Sequence, residues 1–204
     1  MPKFNDKEKQ LIQTKLLAEG KRLFLQHGLK KVTVDDLVKE AGIAKGSFYA
    51  FYTNKEHLYT ELLYELQQKE FAKLRTFLEA NKTLPPRELT TAYLQWIYRE
   101  MEHEPLLLQQ DRAMIELLHR KVPTDILDQY SAEDHHYWEV LGQYGISFVH
   151  PLDISDQVLE SLDMVFLDLI SRNIPNRHDV LALFITGVVN QLIKETHEPT
   201  PTHP

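Results

Sequence analysis

The chain has 204 residues, 43% hydrophobic and 26% charged, with 7 Gly and 10 Pro; it is long enough to bury a core and lies outside the disordered and collagen-like ranges. Zero cysteines exclude disulfides, thiolate nucleophiles and Cys-bearing zinc sites. A net charge of −7 argues at first against nucleic acid, but residues 1–60 hold 11 Lys and Arg against 7 Asp and Glu, +4, and the remainder 12 against 23, −11, an asymmetry that orients a molecule in a phosphate field.

Met1 to Glu8 has no apolar stretch behind its lysines, so no secretory signal and a cytoplasmic location are expected. The uncharged run Val180–Ile193 has 14 residues interrupted by Thr186, Gly187, Asn190 and Gln191, too short and polar to span a bilayer. Helical spacing recurs along the chain and no period-2 strand stands out, which predicts an all-α protein of about nine helices. The first helix, over 7–27, carries Ile12, Leu16, Leu23 and Phe24 on one stripe and stops at Gly28, where a left-handed cap is wanted. Thr33-Val-Asp-Asp36 fits a capping box opening a helix over 33–40, whose apolar stripe is Val34, Leu37, Val38 and Ala41.

Ala41-Gly42-Ile43 makes a tight turn, and Lys45–Tyr52 is a second short helix anchored by Phe48 and Tyr52: a helix-turn-helix. At 100° per residue, with Phe48 at 0°, Tyr49 falls near 100°, Gly46 near 160°, Ala50 near 200° and Ser47 near 260°. The outward face is therefore small and uncharged, with two hydroxyls beside it, and suits close approach to a DNA major groove; the bland alternative is a short helix packed inside the protein.

The stretch TVDDLVKEAGIAKGSFYAFYTNKEHL, residues 33–58, with Leu23-Phe24 and Gly28 upstream, resembles the signature of the tetracycline-repressor (TetR) family. The resemblance covers residues 10–63 and implies a dimeric transcriptional regulator, most often a repressor, that a small molecule releases from its DNA operator. It places Lys45, Gly46, Ser47, Tyr49, Ala50 and Phe51 on the recognition helix, Thr33 at the start of the second helix and Lys55 at the start of the fourth. Thr33 and Lys55 suit phosphate contacts, since helix N-termini present free amides. Two positions depart from the family pattern. Ala44 stands where a Ser or Thr is common, and Phe51 where a His or Tyr is frequent, which leaves thymine methyl contacts and DNA shape to carry specificity.

Asn54 is a good N-cap for a long helix to about 79, with Leu58, Leu62, Leu66, Leu74, Phe77 and Leu78 apolar. Prolines at 85, 86, 105, 123, 151 and 175 leave room for helices over 86–103, 105–119, 124–144, 155–172 and 177–195. The expected division is a helix-turn-helix domain over 1–53, a ligand-binding and dimerisation domain over 54–197, and a disordered tail over 198–204. By resemblance, the middle helices wall an effector cavity, with Tyr93, Trp96, Tyr98, Met101, Met114, His119, Tyr137, Trp138 and Tyr144 as candidate lining; aromatic and Met residues at helical spacing are more often plain core. The last two helices are apolar on more than one face, and the resemblance makes them a four-helix dimer interface through Met164, Leu167, Leu183, Ile185, Val189 and Ile193.

Glu133-Asp134-His135-His136 does not make a metal site, because adjacent histidines diverge by about 100° on a helix. No phosphate loop, His-Glu-x-x-His or nucleophile elbow occurs, so no enzyme, cofactor or metal is expected. The expected partners are double-stranded operator DNA, a small-molecule effector and a second copy of the chain. A helical sensor or protein-binding module that no longer engages DNA is the alternative, supported by Ala44 and by the lack of Arg, Asn or Gln in the recognition helix.

Overall fold

The computed structural model describes residues 5–109 and 111–195, and the side chains of all of these except 129–138. Ten α-helices occur among the described residues: α1 (Asp6–His27), α2 (Val34–Ala41), α3 (Lys45–Phe48), α4 (Lys55–Asn81), α5 (Pro86–Met101), α6 (Pro105–Leu108), α7 (Arg112–Lys121), α8 (Thr124–Gln143), α9 (Leu152–Ser171) and α10 (Arg177–Leu192). No helix among these residues is long and apolar enough to cross a membrane. The expected tail, 198–204, lies outside the described residues.

The chain divides into two units. The first comprises Met1–Gln68 and Pro105–Ala132, the second Lys69–Glu104 and Glu133–Pro204. This division differs from the expected break after residue 53, and the first unit's core supplies the reason. One long helix and two short ones bury too little apolar surface alone. Leu16, Phe24, Leu37 and Phe48 are closed over by Leu58, Tyr59, Leu62 and Leu66 of α4, by Leu106, Met114 and Leu118 of α6 and α7, and by Val122 just after α7. The Tyr59 ring meets Phe24 edge-on at 5.2 Å, and Asn54 Nδ2 donates to the Lys121 carbonyl at 2.7 Å.

Local signals set most helix ends in this unit. The Thr33 hydroxyl accepts from the Asp36 amide and Asp36 accepts from the Thr33 amide, the reciprocal capping box at the start of α2. The hydrogen bonds from Thr33 hold the Asp36 pKa below its usual range. Gly42 closes α2 at φ 66°, a left-handed conformation that favours glycine. Two expected helices change. The helix over 45–52 ends at Phe48 because the next amides reach back only three residues, Ala50 to Ser47 and Phe51 to Phe48. The helix over 105–119 is broken into α6 and α7 by Asp111, whose extended backbone and carboxylate cap the Met114 amide at 2.7 Å.

In the second unit α10 packs on both α5 and α9. The core includes Leu74, Leu89, Ile97, Leu162, Phe166, Leu181 and Ile185. Helix α9 starts three residues earlier than expected, directly after Pro151, and α10 ends three residues earlier. Ile193 turns extended and pairs with Phe148 in an isolated antiparallel bridge, while Arg87 Nε donates to the Ile193 carbonyl at 2.8 Å.

Candidate nucleic-acid interface and ligand pocket

The surface around α3 is built by the turn at Gly42, which sets α3 against α2, and by Phe48 and Tyr52, both buried as the sequence predicts. Gly46 and Ala50 are exposed, and a Cβ added to Gly46 meets nothing within 4 Å. Tyr49 is 52% exposed and stands edge-on to Phe48 at 5.4 Å. Ser47 departs from expectation. At 6% exposure its hydroxyl is withdrawn from the outward face. Phe51 is half-buried, because the tighter three-residue turn brings it round toward the side of Phe48.

The charged and capping residues are each engaged. Thr33 is exposed, yet its hydroxyl donates to Asp36 Oδ2 at 2.6 Å as part of the cap. Lys45 Nζ lies 2.9 and 3.0 Å from the two carboxylate oxygens of Asp35, and the hydrogen bond to Asp35 raises the lysine pKa. Lys55 Nζ donates to the carbonyls of Leu29 at 2.7 Å, Lys30 at 3.2 Å and Val32 at 2.6 Å. An ammonium has three protons, so the expected phosphate donor is instead spent on the loop between α1 and α2. Neither partnership is legible in the chain order. Asp35 and Lys45 are ten residues apart on two helices whose crossing only the fold sets, and the carbonyls facing Lys55 leave no side-chain signature.

In the second unit a narrow apolar crevice with a cavity volume of about 10 Å³, partly open to solvent, is lined by Tyr93, Leu94, Leu141, Phe148, Leu159 and Ile193 among others. Of the expected lining residues Tyr93 is in this wall. Trp96 stacks on Phe77 at 4.9 Å, and Tyr98 is buried against Phe166 at 4.8 Å. Met101 is half-buried at the end of α5, and Tyr144 donates to Glu79 at 3.2 Å. Met114 belongs to the core of the first unit and His119 is exposed on α7, so neither borders this pocket. The side chains of Tyr137 and Trp138, like those of Glu133 to His136, lie outside the described residues.

Tyr98 also donates its hydroxyl to Asp163 Oδ1 at 2.6 Å. Burial pushes the Asp163 carboxyl up to about 6, reinforced by Glu160 and Asp156, against the opposing effect of the Tyr98 hydrogen bond; burial raises the Tyr98 phenol as well. A carboxyl with a raised folded pKa favours folding most below its ordinary 3.8, and that contribution is lost as pH rises through about 6. Asp163→Asn keeps an acceptor for Tyr98 and has no charge to bury. In denaturant titrations it is expected to exceed the parent stability at pH 8 by on the order of 2 kcal/mol and to lose that advantage near pH 4. An equal difference at both pH values would contradict the assigned cause.

The apolar residues of α9 and α10 divide between two faces. Leu183 is 76% exposed, Phe184 48%, and Met164 and Leu167 also reach the surface, while a Cβ at Gly187 meets nothing within 4 Å. Ile185, Val189 and Ile193 correct the expectation. All three are buried within their own unit: Ile185 and Val189 follow Leu181 at spacings of four as the inward stripe of α10, and Ile193 is the extended residue just after it. Phe184 joins the outward face in their place. Because α10 is apolar almost all round, periodicity alone did not separate the two stripes.

The family described as "Bacterial regulatory proteins, tetR family" matches residues 16–62, the segment that builds α1 from Leu16, α2, α3 and the start of α4. The uncharacterized HTH-type transcriptional regulator YuxN of Bacillus subtilis is 32% identical over 91 residues, 43% of this chain and 30% of YuxN. The HTH-type transcriptional repressor KstR2 of Mycolicibacterium smegmatis is 28% identical over 143 residues, 68% of each chain. The match thus spans under a third of the length of one of these relatives and about two thirds of the other. Among solved structures, the fatty acid degradation regulator FadR from Bacillus halodurans shares the fold with a TM-score of 0.59 at 16% identity, over 92% of this chain and 96% of that one. Over residues 16–62, with the capped α2, the Gly42 turn and the short α3, the chain is similar to the tetR family of bacterial regulatory proteins.

Proposed function

We propose that the chain is a cytoplasmic, homodimeric transcriptional repressor without enzymatic activity, released from its operator by a small apolar effector. The observation that carries the DNA-binding reading is the exposed, bulk-free surface of Gly46 on α3 and Ala50 in the turn that follows it, beside Tyr49, with Phe48 as the anchor. Such a surface lets backbone approach base edges and thymine methyls in a major groove. The exposed apolar face of Met164, Leu167, Leu183 and Phe184 supports pairing with a second copy. A two-fold dimer sets two α3 helices in successive major grooves, so the operator is a near-palindrome with half-sites about 34–36 Å apart.

The apolar lining of the crevice between α5, α8, α9 and α10 supports an apolar effector, which must part these helices to enter, since the cavity of about 10 Å³ holds about one water. Helix α4 contributes residues to both units, and its tilt on effector binding is the proposed route to the half-site spacing. Each tenfold difference in effector affinity between the two forms shifts the equilibrium by about 1.4 kcal/mol. The engagement of Lys45 by Asp35 favours the second reading, a sensor that no longer engages DNA. Affinity selection of short genomic fragments at two salt concentrations decides between them. Recurrent near-palindromes with the stated spacing are expected; no enriched sequence at either salt would leave the sensor.

A further inference from the structure

Asp35 occupies the first turn of α2, next to the surface that α3 presents, and both of its oxygens hold the Lys45 ammonium. Lys45 is the sole formal cation within Lys45–Phe48. Both partners are more than half exposed, at 52% and 71%, so the pair contributes little to the stability of the fold. Its consequence falls on whatever approaches that face. The neighbouring Asp36 differs in kind, since its carboxylate is committed to the cap with Thr33.

We propose that Asp35 is an electrostatic brake on DNA binding, neutralising Lys45 and presenting a carboxylate to the phosphates that α3 must approach. The brake rests on the reading of α3 as the DNA-facing helix. Electrostatic affinity for a duplex comes from counterions released as cations neutralise phosphates, with a logarithmic salt slope of about −0.9 per phosphate. An ammonium already matched by a carboxylate releases none of them. The wild-type protomer therefore forgoes one phosphate contact and keeps a repulsive charge in its place. The hydrogen bond to Asp35 moves the Lys45 pKa further above neutrality, in the direction of a tighter pair. Affinity held down in this way lets a modest effector coupling, about 5- to 150-fold, empty the operator.

The test titrates full-length wild type, Asp35→Asn, Lys45→Ala and the double variant against a random-sequence duplex of about 30 base pairs, by fluorescence anisotropy, at salt from about 50 to about 200 mM. Asp35→Asn is expected to bind more tightly at the low-salt end and to show a slope steeper by about 0.9 per protomer. Over that fourfold range its affinity then falls about 3.5-fold further per protomer than that of wild type. In the Lys45→Ala background the added slope disappears. An unchanged slope, or weaker binding by Asp35→Asn, overturns the brake; the latter would mean that Asp35 aims the lysine at phosphate. Thermal melting checks the fold, since Asp35→Asn leaves the Thr33–Asp36 cap in place whereas Asp36→Ala removes its carboxylate acceptor and lowers the melting temperature. If wild type retains no duplex at about 50 mM salt, the DNA-binding reading fails and the brake with it. If wild type binds and Asp35→Asn does not steepen the slope, the brake alone fails.

Discussion

Ala50→Leu is expected to lower operator affinity by about 100-fold while leaving the melting temperature within a degree or two of the parent. The two halves of that expectation have separate causes. Ala50 is exposed just beyond α3, on a surface whose long side chains are Tyr49 and the Asp35-paired Lys45. A leucine there extends into solvent in the free protein, and surface substitutions of this kind change stability by about 0.5 kcal/mol or less. In the complex the same three added carbons stand between the backbone of α3 and the floor of the groove. Displacing the helix costs contacts at both half-sites, and about 1.4 kcal/mol at each amounts to about 100-fold in total, comparable to one mismatched base pair per half-site. Gly46→Ala is the milder companion, because the free protein leaves the space for its methyl empty. Undiminished operator binding by Ala50→Leu, measured by titration, would remove this face from the interface.

What the sequence makes legible here is local. The Thr33–Asp36 box, the glycine at 42 and the asparagine cap at 54 each involve residues three or four apart, and each appears where its chemistry predicts. Phe48 and Tyr52 are buried for the same reason, being neighbours on one side of a short helical segment. Features that depend on how elements cross are not legible. Asp111 reads as an ordinary polar residue in a helical stretch until its carboxylate is seen capping the Met114 amide. Met114 looks like a pocket residue and is core of the other unit, since side-chain size carries no information about which unit a helix joins. Ile185 and Leu183 lie two residues apart in an apolar helix, and only the packing of α10 on α5 and α9 turns one inward and the other outward. For Lys45 and Lys55 the residue type indicates a positive charge at the right place, but not that Asp35 or three backbone carbonyls already hold it.

Lys55→Ala is expected to destabilise the first unit by about 2–4 kcal/mol, and to weaken binding to every DNA sequence without flattening the salt dependence. A lysine that touched a phosphate would do the reverse, leaving stability unchanged and reducing the slope by about one unit. The geometry favours the first outcome. Lys55 Nζ sits at 2.6–3.2 Å from the carbonyls of residues 29, 30 and 32, two of those contacts being part-buried, and the loop they belong to leads directly to the cap at Thr33. Hydrogen bonds to a charged donor are worth about 1.5–3 kcal/mol each in a mutational series, and partial exposure reduces the sum of three to the range given. Removing the ammonium leaves the Leu29 and Val32 carbonyls without this donor and frees the start of α2 from the start of α4. Helix α3 is then presented less precisely, which weakens operator and random duplex alike. Lys55→Arg is the control. Its guanidinium keeps the charge, but its planar fork does not converge on three carbonyls as an ammonium does, so it restores the long-range field and only part of the stability. Denaturant unfolding together with salt titrations of all three proteins separates the clamp from the phosphate contact, because the two roles move different observables.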